Sequence, residues 1–491
     1  MDVVLFNPAP RSGWQAHRRV ELPLSLLCPA TPLDRQGYRV KIIDAFANSN
    51  WKRELQEAIA EKPICFGVTS MTGPQILHGL EGCRLVKEMH PDMPVIWGGI
   101  HPSLLPEQTL GSPLVDIVVV GEGEATFEEL VKALEAGTPL SRVAGICYKQ
   151  DGKVHCTGMR PFVNLDEQPP LSYHLINMDH YRRRLFGKDH VSFNSSRGCT
   201  FGCRFCWDPV MHKKKWRAMK PETVLHHLKR IVRMYDLRGF VFTDDNFFID
   251  MNRAYGILEK VVLADLNITI AKLQIRADAI CKMDRDFLRL LVKAGVKRVT
   301  IGAESGSQRV LDFLRKRISV DDIIGANRKL MPYPIVPLFL FMMGLPTETP
   351  EEFAKSVRLA FRLTRENPRA GKSFNIYTPY PGTKLYETCV RLGLKEPQCL
   401  EDWPRFNFRN IPDEAGWVRP KMRKLIEGLD FPLMVFGKEF FRRPYRKTNP
   451  LVLGLSKLYY PVARHRVTHL DARFPIETKL VKALGFFGRQ D

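Results

Sequence analysis

Short apolar runs recur along the first 150 residues, each closed by a polar residue or a glycine. Residues 3–6 end at Asn7-Pro8, 40–43 at Asp44, 95–97 at Gly98-Gly99 and 117–120 at Gly121, with a further run over 64–69 that leads into Ser70. Between them, 80–89 and 125–134 carry apolar positions at helical spacing. Strands alternating with helices at this interval predict an open, doubly wound, mostly parallel sheet. Ligands of such sheets bind outside the carboxyl ends of the strands. The residues expected there are Asn7, Asp44, Thr69-Ser70, Gly98–His101 and Gly121–Glu124. Gly-Gly and Gly-Glu-Gly are equally what tight strand-to-helix turns need, so spacing alone leaves a ligand and a bare turn open.

The same alternation returns after residue 188. Strands are expected over 191–194, 239–243, 269–275, 298–302, 337–343 and 372–377, with helices between. Six such repeats predict a partial (β/α)6 barrel of TIM type, whose chemistry belongs at the strands' C-terminal ends. The domain plan is 1–150 for the first sheet, 151–188 for a proline-containing linker, 189–398 for the barrel, and 399–491 for a small, mostly helical region. That last region is weakly patterned, and residues 441–491 hold 11 Lys or Arg against 3 Asp or Glu. Its aromatic pairs, Phe440-Phe441, Tyr459-Tyr460 and Phe486-Phe487, suit either a helical cap or peripheral membrane contact through 441–491.

The apolar runs stop short of the roughly 18 residues that span a bilayer, and no secretory leader is visible, so a cytoplasmic chain is expected, with peripheral membrane attachment as the variant. Its formal net charge of +21 calls for an anionic partner without choosing one. Most of the 11 cysteines stand singly in apolar surroundings, as small buried hydrophobes. Three do not.

Cys199, Cys203 and Cys206 follow the first barrel strand in the run Arg197-Gly198-Cys199-Thr200-Phe201-Gly202-Cys203-Arg204-Phe205-Cys206. Three thiolates at C-x3-C-x2-C can wrap one cubane and leave its fourth iron for a non-protein ligand. Zinc, with His212 as a fourth ligand, is the alternative, although the paired knuckles of zinc sites are missing.

The cysteine spacing resembles the radical S-adenosylmethionine signature. The resemblance continues through Thr243-Asp244-Asp245-Asn246, Ile275-Arg276-Ala277-Asp278, Gly302-Ala303-Glu304-Ser305-Gly306, Gly344-Leu345-Pro346-Thr347-Glu348-Thr349 and Pro379-Tyr380-Pro381-Gly382-Thr383. It implies a [4Fe-4S] cluster on the three cysteines, with S-adenosylmethionine held by Phe205, Asp245, Arg276, Glu304 and Ser305. Cleavage of that cosubstrate to a 5′-deoxyadenosyl radical, which abstracts a hydrogen atom, is the implied activity. The first block resembles the cobalamin-binding domain found in front of many such enzymes, with Asp44, Ser70, Gly98, Gly99, His101, Gly121 and Glu122 as the implied corrin contacts. No D-x-H-x-x-G follows the first strand, where cobalamin proteins often keep a lower histidine ligand, so cobalt ligation stays open between His101 as that ligand and His101 as a pocket-lining or helix-capping residue.

The pairing implies a cobalamin-dependent radical S-adenosylmethionine methyltransferase acting on an unactivated carbon. The alternatives are radical coupling, cyclisation or rearrangement with the same cofactors, and a non-catalytic cobalamin sensor, for which an open iron has little use. The expected partners are a small-molecule or lipid-like substrate and a reducing electron donor such as flavodoxin or ferredoxin. Nucleic acid is not expected, because the additional N-terminal cysteine set of the transfer RNA methylthiotransferases is missing. No catalytic acid or base is assigned.

Overall fold

The computed structural model describes residues 1–9, 21–407, 411–412, 415–436, 450–473 and 476. The chain forms two compact units. The first comprises Met1–Arg182, Val210–Lys213 and Glu396–Asn407; the second comprises Arg183–Pro209, Lys214–Lys395 and Phe408–Asp491.

The first unit is built on β1 (Val3–Asn7), β2 (Val40–Asp44), β3 (Cys65–Thr69), β4 (Val95–Gly98), β5 (Ile117–Val119), β6 (Ile146–Gln150) and β7 (Lys153–Cys156), ordered β2-β1-β3-β4-β5-β6-β7. The first five strands pair in parallel. β1 and β3 are buried at every position, as strands covered by helices on both faces must be. Trp97, Phe6 and Phe66 fill this core.

Two features depart from the sequence expectation. The boundary placed at residue 150 falls inside a hairpin, because Asp151-Gly152 is a two-residue turn, both residues at positive φ, that returns β7 antiparallel along β6. Cys147 and Cys156 face each other across that hairpin and form a disulfide, so neither is the solitary buried hydrophobe expected. A run of single cysteines gives no sign of two strands folding back on each other.

The second unit holds β8 (Arg183–Leu185), β9 (Lys188–Phe193), β10 (Ser196–Arg197), β11 (Arg217–Ala218), β12 (Gly239–Phe242), β13 (Thr269–Ile275), β14 (Arg298–Glu304), β15 (Val336–Met343) and β16 (Gly371–Ile376). Its main sheet runs β16-β15-β14-β13-β12-β9-β8, all parallel except the edge strand β8. Six parallel strands with intervening helices make a curled half-barrel. The strict alternation of buried and half-buried residues along β15 separates the side packed under helices from the side facing the barrel interior. Thr349 starts the helix Pro350–Glu366 with a capping box to Glu352, which explains the turn sequence after β15.

Helices Pro420–Phe436 and Pro450–His469 form the C-terminal region of this unit. Among the described residues no helix is long and apolar enough to cross a membrane. Most of the expected membrane-contact segment, including Phe440-Phe441 and Phe486-Phe487, lies outside the described residues.

Candidate functional site

β10 and β11 make a two-rung antiparallel hairpin, and the loop between them carries the three cysteines. Gly198 opens the loop at φ 84°, in the left-handed region. The loop is pinned at Arg204, whose N–H donates to the Leu314 carbonyl at 3.0 Å and whose carbonyl accepts from the Leu385 N–H at 2.9 Å. The Arg204 guanidinium lies 5.3 Å from the Phe313 ring.

All three thiols are free and half-buried. Burial pushes Cys199 up to about 11, raises Cys203, and raises Cys206 well above a normal thiol. The field of Cys203 reaches both other sulfurs, while Lys316 and Arg276 favour its ionised form. Three free thiols sharing one loop, with cations beside them, fit a cluster that takes three protein ligands. Among the described residues no three His, Cys, Asp or Glu side chains stand close enough to hold a single metal ion. His212, the alternative zinc ligand, packs 5.8 Å from the Phe162 ring in the first unit.

Of the acidic pair at the end of β12, Asp244 is structural. It is fully buried and accepts from the Ser195 N–H at 3.2 Å and hydroxyl at 2.7 Å, and from the Ser196 hydroxyl. Asp245 still reaches solvent, beside the buried carboxyl of Asp208. Loss of hydration, then the neighbouring carboxylates, raises both Asp208 and Asp245.

Glu304 ends β14 at φ 58°, where a register shift turns its side chain, and it accepts from Lys316 Nζ at 2.7 Å. Both partners are nine-tenths buried. Gly302 makes room for this pair, since a Cβ there would lie 2.3 Å from Glu304 Oε1 and 2.7 Å from Lys316 Nζ. Lys316 Nζ lies 5.8 Å from the Phe205 ring. Arg276 donates to Asp278 Oδ1 at 3.0 Å and to the Lys316 and Arg317 carbonyls at 2.9 Å each, and stacks 3.9 Å from the Phe201 ring of the cysteine loop. Ser305 is buried in a hydroxyl network with Ser356 and the Ser307 N–H. Arg276 and Ser305 therefore shape the wall of the site through their neighbours. Sequence reasoning missed Lys316 and Asp208. Lys316 sits in the basic run Arg315–Arg317, which gives no hint of burial.

In the first unit the order 2-1-3-4-5 puts the topological switch between β1 and β3, at Asn7 and Thr69-Ser70. Gln75 ties the two ends, donating to the Pro8 carbonyl at 2.8 Å and accepting from the Met71 N–H at 3.1 Å. Gly99 has φ 96°, and a Cβ there would lie 2.9 Å from the Ser70 carbonyl oxygen and Thr69 Oγ1. Gly121 donates its N–H to Ser103 Oγ at 3.0 Å, and a Cβ on it would meet no atom within 4 Å. Gly99 is thus required by close approach of the unit's own backbone, while Gly121 leaves open space, so Gly98, Gly99 and Gly121 keep these strand ends clear of side chains as a large flat ligand would need.

The other expected corrin contacts are also used within the unit. Asp44 accepts from Tyr181 Oη at 2.9 Å and from the Phe46 N–H at 2.9 Å, and burial pushes it up. Glu122 accepts from the Val163 N–H at 3.0 Å. Ser70 donates to the Met71 carbonyl at 2.9 Å. His101 is fully buried, with Nδ1 3.0 Å from Thr72 Oγ1 and its ring edge-on to Trp403 at 5.2 Å. Burial pulls it down to about 3, so it is neutral. Trp403 comes from the segment after the barrel, and no local sequence signal placed it here.

Comparison with known proteins gives two family matches. The Radical SAM superfamily covers residues 193–360 and the B12 binding domain covers residues 19–131. An uncharacterized methyltransferase from Pyrococcus horikoshii is 32% identical over 89% of this chain and 94% of the relative. The anaerobic magnesium-protoporphyrin IX monomethyl ester cyclase of Rubrivivax gelatinosus is 29% identical over 83% of this chain and 72% of the relative. Among solved structures, the cobalamin-dependent S-adenosylmethionine radical enzyme OxsB, with aqua-cobalamin and S-adenosylmethionine bound, has the same fold. Its TM-score is 0.72 at 18% identity, covering 99% of this chain and 75% of OxsB.

Proposed function

This chain belongs to the cobalamin-dependent radical S-adenosylmethionine enzymes, and on that premise we propose that it is a methyltransferase that methylates an unactivated carbon of a small-molecule or lipid-like substrate. A [4Fe-4S] cluster, S-adenosylmethionine and cobalamin are its cofactors. The observation that carries the methyltransferase reading is the 32% identity to a relative named for that activity, along nearly the whole of both chains.

Cys199, Cys203 and Cys206 would hold the cluster. Phe205, Asp245 and Glu304 would line S-adenosylmethionine, with Arg276 and Ser305 fixing the wall behind them. Gly98, Gly99 and Gly121 would floor the corrin, with Asp44, Ser70, His101 and Glu122 bracing the loops around it. When bound, the cluster and its cosubstrate supply hydrogen-atom abstraction and the corrin supplies methyl transfer, chemistry that side chains lack. The chain's own part is positional. Arg204 fixes the cysteine loop, the Glu304–Lys316 pair keeps a buried cation near Cys203, and Asp208 and Asp245 set the acidic side of the surroundings of Cys206 and Cys199.

A second reading, ring closure, coupling or rearrangement with the same cofactors, draws support from the cyclase relative. Methyl counting separates the two. The anaerobically reconstituted protein is given methyl-deuterated S-adenosylmethionine and a metabolite extract, and products are read by mass spectrometry. An intact labelled methyl group on carbon supports methylation. A dehydrogenated, cyclised or rearranged product free of label selects the second reading.

A further inference from the structure

Cleaving S-adenosylmethionine at a cluster needs one electron from outside the chain, and the hairpin that carries the cysteines also carries an exposed basic run. The outgoing limb of the β10–β11 hairpin bears Cys199, Cys203 and Cys206. The returning limb bears the run Lys213-Lys214-Lys215 before reaching β11. Lys214 and Lys215 are exposed. The Lys214 side chain reaches back across the loop, with Cε and Nζ each 3.8 Å from the position a Cβ on Gly202 would occupy, and Gly202 immediately precedes Cys203. Lys213 and Lys214 both take left-handed backbone, φ 50° and 57°, unfavourable for residues with a side chain. The turn that results is therefore imposed by the surrounding structure.

From Arg204 to Lys220 there are six basic residues, Arg204, Lys213, Lys214, Lys215, Arg217 and Lys220. The one acid in that stretch, Asp208, is fully buried, so the exposed charges of the stretch, Lys213, Lys214, Lys215 and Lys220, are all positive. Neither Lys214 nor Lys215 has an ion-pair partner among the described residues. An exposed patch of one sign raises the local concentration of an oppositely charged partner and speeds its encounter.

We propose that Lys214 and Lys215 form the docking surface for an acidic one-electron carrier protein of the flavodoxin or ferredoxin class, which delivers its electron to the cluster through the adjoining cysteine limb. The inference rests on Cys199, Cys203 and Cys206 holding the cluster. One electron leaves the reduced carrier and one enters the cluster; no bond is made or broken and no proton is needed. Gly202, which lacks a side chain, keeps the limb under Lys214 thin.

The test compares two reductants on the reconstituted full-length protein, with cluster reduction followed by its electron paramagnetic resonance signal. Reduced flavodoxin is the protein donor and dithionite the small one. The variant Lys214→Glu/Lys215→Glu is expected to be reduced by flavodoxin at least tenfold more slowly than wild type, with a weaker dependence on salt, because screening then has less attraction to remove. Its iron content and its reduction by dithionite are expected to be unchanged. Equal flavodoxin rates in variant and wild type would overturn the docking assignment. If the glutamates cost iron, Lys214→Gln/Lys215→Gln serves instead, with slower flavodoxin reduction and normal dithionite reduction expected, and an unchanged flavodoxin rate again overturning it. Wild-type protein that dithionite cannot reduce would instead remove the cluster reading beneath the proposal.

Discussion

At the scale of single residues, the chemistry splits into what is written locally and what the fold assembles. Cys199, Cys203 and Cys206 stand out in the sequence because C-x3-C-x2-C puts three thiols on one short loop. Replacing Cys203 with Ala is expected to abolish the iron-dependent brown absorbance and 5′-deoxyadenosine formation while the first unit stays folded, as circular dichroism and cobalamin binding would report. Normal iron content in that variant would refute the assignment. The Glu304–Lys316 pair was not legible, because helix Gln308–Phe313 lies between the two residues and brings them together. Lys316→Met leaves Glu304 buried and unpaired, and removing one member of such a pair costs about 3–5 kcal/mol. The loss should appear as a lower midpoint in chemical denaturation. Gly302→Ala should produce a similar loss by crowding the same two side chains.

At the scale of elements, the parallel strands were the most legible part. Continuous apolar runs closed by Asn, Asp or Gly are what strands buried on both faces require. Antiparallel additions were less so. The β6–β7 hairpin was cut at its own turn, and its disulfide went unseen, because cross-strand pairing is a matter of register. The short helical segment Leu400–Arg405 was equally hard to place, since it follows the barrel in sequence but packs in the first unit. There Trp403 Nε1 donates to Gln108 Oε1 and Ser112 Oγ donates to Glu401 Oε1 at 3.1 Å. Trp403→Ala is expected to destabilise the first unit by about 3–5 kcal/mol, measured by its thermal or denaturant midpoint.

The turn after β15 makes a pH-dependent prediction. Glu348 accepts from the Gly344 N–H at 3.0 Å, and burial pushes its carboxyl from the ordinary 4.5 up to about 8. The folded state keeps this proton through a range in which the unfolded chain has lost it. The group's contribution is therefore most favourable below about 4.5 and declines as pH rises towards about 8. Glu348→Gln should gain stability over wild type as pH rises from 5 to 8, with the melting temperatures of the two converging at the acid end. A constant offset across that range would count against a buried, protonated Glu348.

At the scale of the molecule, a doubly wound sheet and a half-barrel each have a ligand shelf at their strand ends, and one chain carries both. The parallel sheet and the six-strand repeat were readable from periodicity, whereas the strand order 2-1-3-4-5 and the exchange of segments 210–213 and 396–407 into the first unit were not. Nothing in local patterning tells a returning segment which core will take it. The net charge of +21 also gains a location, since part of it is gathered beside the cysteine loop.

The central claim, that both cofactor chemistries operate in this chain, is tested most directly by one anaerobic incubation. Protein reconstituted with iron, sulfide and cobalamin receives reductant and methyl-deuterated S-adenosylmethionine, and the small molecules are analysed by mass spectrometry. The account predicts 5′-deoxyadenosine together with deuterated methyl label in the corrinoid fraction. Neither product, from protein shown to hold a full cluster and bound cobalamin, would contradict it.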